Sequence, residues 1–143
     1  MKKLGPIEKV FEAWTALADG RISMEGENMA VARSSDDSKS YTIRFDSDRY
    51  SSDDNATYWR GYAGYPVIAV LMLQGRLPYD RQEAELWKNV NWKAVNTKYK
   101  NDYKAAVEEV ARERGIDLSK AYEEAQKVVS ALEALDIEIK RKI

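Results

Sequence analysis

The run YPVIAVLML at residues 65–73 is the longest apolar stretch of the chain, and it is apolar on every side. Its nine residues could form a buried strand, but the alanine, leucine and methionine content favours a helix. Pro66 near the start and Gly75 just after the end fit the same interpretation. The run is shorter than the ~18–20 residues that span a bilayer. We therefore predict a short helix that is buried in a protein core.

The segments before this run predict one helix and three strands. Between residues 5 and 20, apolar side chains recur at the i, i+3, i+4 and i+7 positions of an amphipathic helix. Residues 21–25 and 28–34 flank Gly26 in the manner of a hairpin, and residues 40–46 alternate between apolar and polar side chains. We expect an antiparallel meander that is covered on one side by helices.

The segments after the run predict a helical region. Asp80 and Glu83 have the spacing of a capping box, and Asn91 is interpreted as a cap or kink between two helices. The helix after Asn91 is predicted to end at Gly115, and the last helix is predicted to begin near Ser119. These two long helices would form an antiparallel hairpin.

The predicted fold class is α+β: an N-terminal helix, a three-stranded antiparallel sheet, a short buried helix and a C-terminal antiparallel helical hairpin. At 143 residues the chain is predicted to form a single domain. Residues 1–78 would hold the first helix, the sheet and the buried helix, and residues 79–143 the helical region. The element order resembles that of the double-stranded RNA-binding domain in topology alone, because the glycine- and lysine-rich entry to that family's second helix is missing here.

The chain contains neither cysteine nor histidine. Disulfides, thiolate chemistry, Cys/His zinc sites and histidine acid–base catalysis are therefore excluded, and no cofactor is predicted. The absence of cysteine together with 33% charged residues is typical of thermophilic proteins. The first residues lack the apolar region of a signal peptide, so we predict a cytoplasmic protein without membrane contact.

Residues 44–66, RFDSDRYSSDDNATYWRGYAGYP, combine four aspartates, three arginines and five aromatics beyond Phe45. Connections longer than ~12–15 residues are uncommon unless they are functional or disordered, and disordered segments are poor in aromatics. We therefore place the candidate site in this segment, with residues 46–64 as a loop. Trp59 and Tyr65 are predicted to close the core beneath the loop. The predicted binding residues, which would lie on the exposed surface, are Arg44, Tyr58, Arg60 and Tyr62.

The aspartates of this segment could bind Ca²⁺ or Mg²⁺, because hard cations prefer carboxylate oxygens. The sequence from Asp46 begins like an EF-hand calcium loop. However, Tyr50 stands where that loop needs an Asp or Asn, and Thr57 where it needs a bidentate Glu. Aspartate and serine also populate turns by hydrogen-bonding to their own backbone. We predict that no metal site forms and that the aromatic side chains order the loop.

A second candidate surface is residues 87–104, where five lysines are interspersed with aromatic residues. The segment contains a single acidic residue, an aspartate. Such interleaving would suit single-stranded nucleic acid. Trp92, Tyr99 and Tyr103 fall on the apolar row of the predicted helix, however, so the lysines are interpreted as a solvated face. A net charge of −1 also lacks the basic footprint of a dedicated nucleic-acid binder.

The function that we predict is a non-catalytic binding or assembly module. The alternative is a hydrolase that acts on a small ligand or nucleotide through the Asp, Arg and Tyr side chains of residues 44–65. Single-stranded nucleic-acid binding is a third hypothesis. Convergence of Asp46, Arg60 and Tyr62 in a pocket would favour the hydrolase, whereas an exposed aromatic patch would favour the binding module.

The last helix also predicts self-association. Val128 and Leu135 flank the apolar row that includes Val129 and Leu132, which gives the C-terminal hairpin more apolar surface than two helices can bury. Closed two-fold dimers are the commonest way to cover such a surface. We therefore predict a homodimer through the C-terminal hairpin; the alternative is a different protein partner.

Overall fold

The fold combines helices with a mixed β-sheet, which confirms the predicted α+β class. The computed structural model describes residues 3–143. The elements of this described part are α1 (Lys9–Ala18), β1 (Ile22–Met24), β2 (Met29–Arg33), β3 (Ser40–Asp46), β4 (Arg49–Ser52), a π-helix (Ala56–Arg60), α2 (Tyr65–Leu73), α3 (Arg81–Leu86), α4 (Trp92–Lys98), α5 (Tyr103–Arg114), α6 (Leu118–Ala134) and β5 (Glu138–Ile139).

The sheet has five strands, in the order β1-β2-β3-β4-β5, rather than the three that the sequence predicts. The first four strands pair antiparallel as a meander, and β5 lies parallel to β4 with Ile139 opposite Tyr50. Strand β4 falls inside the predicted loop. It follows a two-residue turn in which Ser47 adopts a left-handed φ of 56° between the paired residues Asp46 and Arg49. The turn lacks the Asn-Gly or Asp-Gly pair that identifies a hairpin in a sequence.

Helix α2 lies at the centre of the core. Every residue from Pro66 to Met72 is buried, which confirms the predicted buried helix. Helix α1 packs against both α2 and α3, and its aromatic residues join a ring cluster. The Phe11 ring lies edge-on to Trp14 and Trp87, at centroid distances of 5.1 and 4.7 Å. The Trp87 ring stacks on Trp92 at 6.1 Å, so the cluster extends from α1 to the start of α4.

A buried threonine fixes α4 against α1. The Thr15 hydroxyl donates a hydrogen bond to the backbone oxygen of Trp87 at 2.7 Å and accepts one from Nε1 of Trp92 at 2.8 Å. All three residues are buried, so neither Trp group has water as a substitute partner. Because α4 forms one wall of the candidate site described below, Thr15 also sets the position of that wall.

The prediction of one long helix between Asn91 and Gly115 is wrong, because the chain forms α4 and α5 instead. Lys100 and Asn101 adopt left-handed φ angles of 53° and 65°, which no helix continues through. Asp102 then caps α5 by accepting a hydrogen bond from the next turn of backbone. Local turn and cap chemistry therefore overrides the apolar spacing on which the prediction depends.

The predicted starts of α3 and α4 are confirmed by side-chain caps, whereas α1 begins at Lys9, later than its predicted start at Gly5 and Pro6, and has no side-chain cap. Asp80 accepts a hydrogen bond from the backbone N–H of Glu83 at 3.0 Å, and Asn91 accepts one from Ala94 at 3.1 Å. Helix α6 begins at Leu118, within two residues of the predicted start. Short polar side chains that precede a helix are reliable local indicators because they satisfy backbone donors that the helix leaves free.

The apolar side of α6 is covered within the chain. Val128 and Leu132 are buried, and Val129 and Leu135 pack against the core. Because Val129 and Leu135 are only partly buried, this reduces the surplus apolar surface from which the sequence predicts a homodimer. Within residues 3–143, no helix has the length and apolar character that crossing a membrane requires.

Candidate functional site

The predicted binding residues lie in two pairs rather than on one surface. Arg44 and Tyr58 line one depression of about 380 Å³. Arg60 and Tyr62 line another, of about 710 Å³. The π-helix ends at Arg60 and is followed by Gly61, which adopts a left-handed φ of 75°. Successive residues of the π-helix face different sides, so it separates the two pairs. π-Helices are rare and often occur at functional sites.

Trp59 is exposed, which corrects the prediction that it closes the core. Its side chain is 68% exposed, whereas the neighbouring Thr57 is buried. Thr57 takes the inward position of the π-helix, so Trp59, two residues further along, faces outward. Tyr65 packs against the core as predicted, edge-on to Tyr41 at a ring distance of 6.4 Å.

A polar cleft lies where α1, α4 and the sheet meet. Its inner part has a volume of about 230 Å³ and combines charged, hydroxyl, amide and aromatic side chains. Asn55, Lys93 and Asn96 line both this inner part and the larger open depression beside Arg60 and Tyr62. We call the two together the polar cleft. The remaining inner lining residues are Glu12, Arg21, Ser34, Ser35, Lys39, Tyr41, Tyr65 and Trp92.

A buried ion pair lies at the base of the polar cleft. Lys9 Nζ is 3.2 Å from Glu12 Oε2, and the Glu12 residue is only 8% exposed. Burial raises the pKa of the Glu12 carboxyl, although the attraction of Lys9 works against this, and the nearby Asp54 raises it further. Burial works to lower the pKa of Lys9, but its pair with Glu12 outweighs this and the pKa is raised. The side chain of Asn96 from α4 also lies near Glu12 and works to lower its pKa.

The aromatic residues of the cleft supply hydroxyl donors. Burial raises the pKa of Tyr41, Tyr62 and Tyr65, so these hydroxyls carry their protons at neutral pH. Tyr103 contributes a ring face instead, since Lys9 Nζ lies 4.5 Å from its centroid. The Tyr65 hydroxyl already donates to the backbone oxygen of Arg33 at 3.4 Å, and Lys9 is paired with Glu12. The cleft therefore offers the hydroxyls of Tyr41 and Tyr62 to a ligand.

Two of the cleft cations are held by aspartates outside it. Arg21 Nε is 3.3 Å from Asp19 Oδ2, and Lys93 Nζ is 3.2 Å from Asp36 Oδ2. Asp36 belongs to the turn between β2 and β3, which thereby closes against α4. Among residues 3–143, no ion pair involves Lys39 or Arg60, so these two cations are available to a ligand.

Asp54 and Gly64 form a tight buried contact behind the cleft. Asp54 Oδ2 accepts hydrogen bonds from the backbone N–H of Thr57 at 3.1 Å and from its hydroxyl at 3.2 Å. The Thr57 hydroxyl in turn accepts one from the Gly64 N–H at 3.0 Å. A Cβ atom on Gly64 would lie 2.2 Å from Asp54 Oδ2, so only glycine fits there.

The four aspartates of residues 44–66, which could have formed a metal site, each interact with a different protein group. Within residues 3–143, no group of three or more acidic side chains is arranged to hold a metal ion. The partners are Arg49 for Asp46, Arg76 for Asp48, the backbone N–H of Thr42 for Asp53, and Thr57 for Asp54.

We expect the thermal unfolding midpoint to be the same with excess chelator and with millimolar Ca²⁺ or Mg²⁺. The four carboxylates are engaged by separate partners and do not come together into a cluster of oxygens that a cation would need. A bound cation at a hundredfold excess over its Kd would stabilise the fold by ~2.7 kcal/mol. Differential scanning calorimetry measures the midpoint, and a rise of several degrees with either ion would contradict the expectation.

Most residues of the polar cleft are not predicted from the sequence. Glu12 belongs to the predicted first helix, and nothing in its local pattern indicates that α4 will cover it. Lys93 is interpreted as part of a solvated face, although it forms part of the cleft wall and pairs with Asp36. These residues come from distant segments, so only the three-dimensional structure brings them together.

The fold and the cleft define an α+β protein with a charged ligand-sized depression between its helices and its sheet. The family model described as "Uncharacterised conserved protein UCP014422" matches residues 2–138, and the chain belongs to this family. No curated protein and no solved structure matches the chain.

Proposed function

We propose that this protein is a non-catalytic binding module and that its ligand is a small polar anion held in the polar cleft. The observation that carries the proposal is the buried pair of Lys9 and Glu12 at the base of a cavity. Buried ion pairs add little to stability, because the cost of desolvation offsets their attraction. Ionisable groups with shifted pKa values in a concave site are instead typical of binding and catalytic sites.

The charge of the cleft favours an anion. Glu12, Asp19 and Asp36 neutralise three of the cations that line it, while Lys39 and Arg60 make no ion pair in the described part of the chain. Surplus cations beside hydroxyl and amide donors match carboxylate or phosphate oxygens. The hydroxyl of Tyr41 would complete this donor set.

The placement of Asp46 supports binding rather than hydrolysis. The hydrolase hypothesis needs Asp46 beside Arg60 and Tyr62, but Asp46 pairs with Arg49 at the turn between β3 and β4. The exposed ring of Trp59 is the kind of aromatic surface that a binding module presents.

Thermal shift measurements with inorganic phosphate, sugar phosphates and dicarboxylates test the proposal. At least one of these should raise the midpoint by several degrees at a concentration well above its Kd. Changing Lys39 and Arg60 to alanine should abolish this rise. Lys120→Ala removes an exposed lysine outside the cleft and should leave it intact. Protection that persists in the double variant, or no protection of the wild type by any probe, would overturn the proposal.

Three other expectations belong to the proposal. A binding module of this kind would act in the cytoplasm, and its charged composition suits a thermophilic source. Self-association stays a prediction; Val128 is buried, and Leu135 is partly buried. Sedimentation equilibrium distinguishes a dimer from a monomer of 16.4 kDa.

A further inference from the structure

A second surface, away from the polar cleft, combines exposed aromatic rings with unpaired cations. We call it the basic–aromatic patch, and it consists of Arg44, Tyr58, Trp59, Arg141 and Lys142. We propose that this patch binds a nucleotide unit, with the base stacked on Trp59 and the phosphate held by Arg44, Arg141 and Lys142. The inference does not depend on the ligand proposed for the cleft.

Trp59 provides the stacking platform. Its side chain is 68% exposed, the largest exposure among the large apolar side chains of residues 3–143. The chain has four tryptophans, and Trp14, Trp87 and Trp92 are buried. An indole ring exposed to water lacks the favourable free energy that burial of its apolar surface normally provides. A stacked base would cover this surface. Every base has a π-face, so such stacking tolerates different sequences.

Neighbouring side chains hold the Trp59 ring in place. The Tyr58 ring meets it edge-on at 4.8 Å, with an interplanar angle of 79°. The guanidinium of Arg141 lies 4.6 Å from the Tyr58 centroid and 4.8 Å from the Trp59 centroid. A guanidinium that stacks through its face keeps its N–H groups free at the edge, where they can bind phosphate. Arg141 therefore joins the stacking platform to the anion site.

The adjacent depression has the charge and the donors that a phosphate requires. Arg44, Arg141 and Lys142 line it together with Thr42, Ser51 and Ser52, and its volume is about 380 Å³. None of the three cations makes an ion pair within residues 3–143. Asp53 is the acidic side chain of the lining, and its Oδ1 already accepts the Thr42 N–H at 2.8 Å. The net charge of the lining residues is positive even when a carboxylate at Ile143 is counted.

A nucleotide unit can come from a free mononucleotide or from a single strand. Fluorescence anisotropy with a labelled single-stranded dT oligonucleotide, and competition by UMP, distinguish these sources. At low salt we expect saturable binding of the strand, of the mononucleotide or of both. A duplex of the same length should bind at least tenfold more weakly, because its bases are not free to stack on Trp59.

Variants separate the stacking contribution from the charge contribution. Trp59→Ala should weaken binding at least tenfold and leave the salt dependence nearly unchanged. Arg44→Ala and Arg141→Ala together should weaken binding and lower the slope of log K against log salt by ~1–2. Lys120→Ala, which removes an exposed lysine outside both sites, is the matched control and should bind as the wild type does. All of these side chains are exposed, so unfolding midpoints should change little.

Tryptophan quenching gives an independent readout. Acrylamide should quench mainly Trp59, and bound oligonucleotide or UMP should protect it, whereas Trp59→Phe should remove the quenchable component. The inference is overturned if neither ligand binds at low salt, if duplex binds as tightly as single strand, or if Trp59→Ala binds as tightly as the wild type.

Discussion

Replacing Thr15 by valine is expected to destabilise the protein by ~2–5 kcal/mol, because two buried polar groups lose their partner at once. The Thr15 hydroxyl accepts a hydrogen bond from Nε1 of Trp92 at 2.8 Å and donates one to the backbone oxygen of Trp87 at 2.7 Å. Valine keeps the shape of threonine but can form neither hydrogen bond. Urea unfolding followed by far-UV circular dichroism measures the free energy. Tryptophan fluorescence reports on Trp87 and Trp92 directly.

Thr15→Ser is the matched control. Serine keeps the hydroxyl and loses one buried methyl group, for an expected cost of ~1 kcal/mol. The valine variant should therefore be the less stable of the two, although it is the closer in volume. Equal stabilities would mean that the Thr15 hydroxyl does not hold α4 against α1.

Replacing Gly64 by alanine is expected to cost ~3 kcal/mol or more. The new methyl group would lie 2.2 Å from Asp54 Oδ2 and 3.1 Å from Cβ of Ala56. Asp54 is buried and held by Thr57, so it cannot move without breaking that network. Overpacking costs ~1–3 kcal/mol, and each buried group left without a partner costs a similar amount.

Two further variants isolate the cause. Gly5→Ala also brings a Cβ to 2.2 Å from its neighbour, but that neighbour is the half-buried ring of Tyr62, which can swing outward into the cleft. Its cost should be clearly smaller than that of Gly64→Ala. Asp54→Ala removes the obstructing carboxylate, so Gly64→Ala should cost less in that background. Additive costs would show that Asp54 is not the obstacle.

Local patterns predict the parts of the fold whose cause is local. The amphipathic spacing of α1, the alternation along β3 and the caps at Asp80 and Asn91 each depend on a few neighbouring residues. The breaks at Lys100 and Asn101 escape prediction because an apolar row continues across them. Strand β4 escapes it because the turn before it lacks a hairpin signal, and β5 because its pairing joins residues as far apart as Tyr50 and Ile139.

The composition of residues 44–66 indicates that this segment carries surface residues but not which of them meet. Tyr58 and Arg60 are two positions apart, and the π-helix directs them to different depressions. Trp59 is misjudged because a large aromatic side chain is more often buried than not. Glu12 escapes notice because its neighbours in the cleft come from several separate segments of the chain, between Arg21 and Asn96.

The parallel strand β5 has a consequence for how the molecule assembles. Strands β1 to β4 connect through short turns and can pair early, whereas every helix from α2 to α6 lies between β4 and β5 along the chain. Contacts between distant segments form slowly, because the intervening loop must first be closed. The outer edge of β4 therefore stays open until the backbone N–H groups of Glu138 and Lys140 reach the carbonyls of Asp48 and Tyr50. An open strand edge invites pairing with other chains, so on a nascent molecule the arrival of β5 ends the interval of greatest aggregation risk.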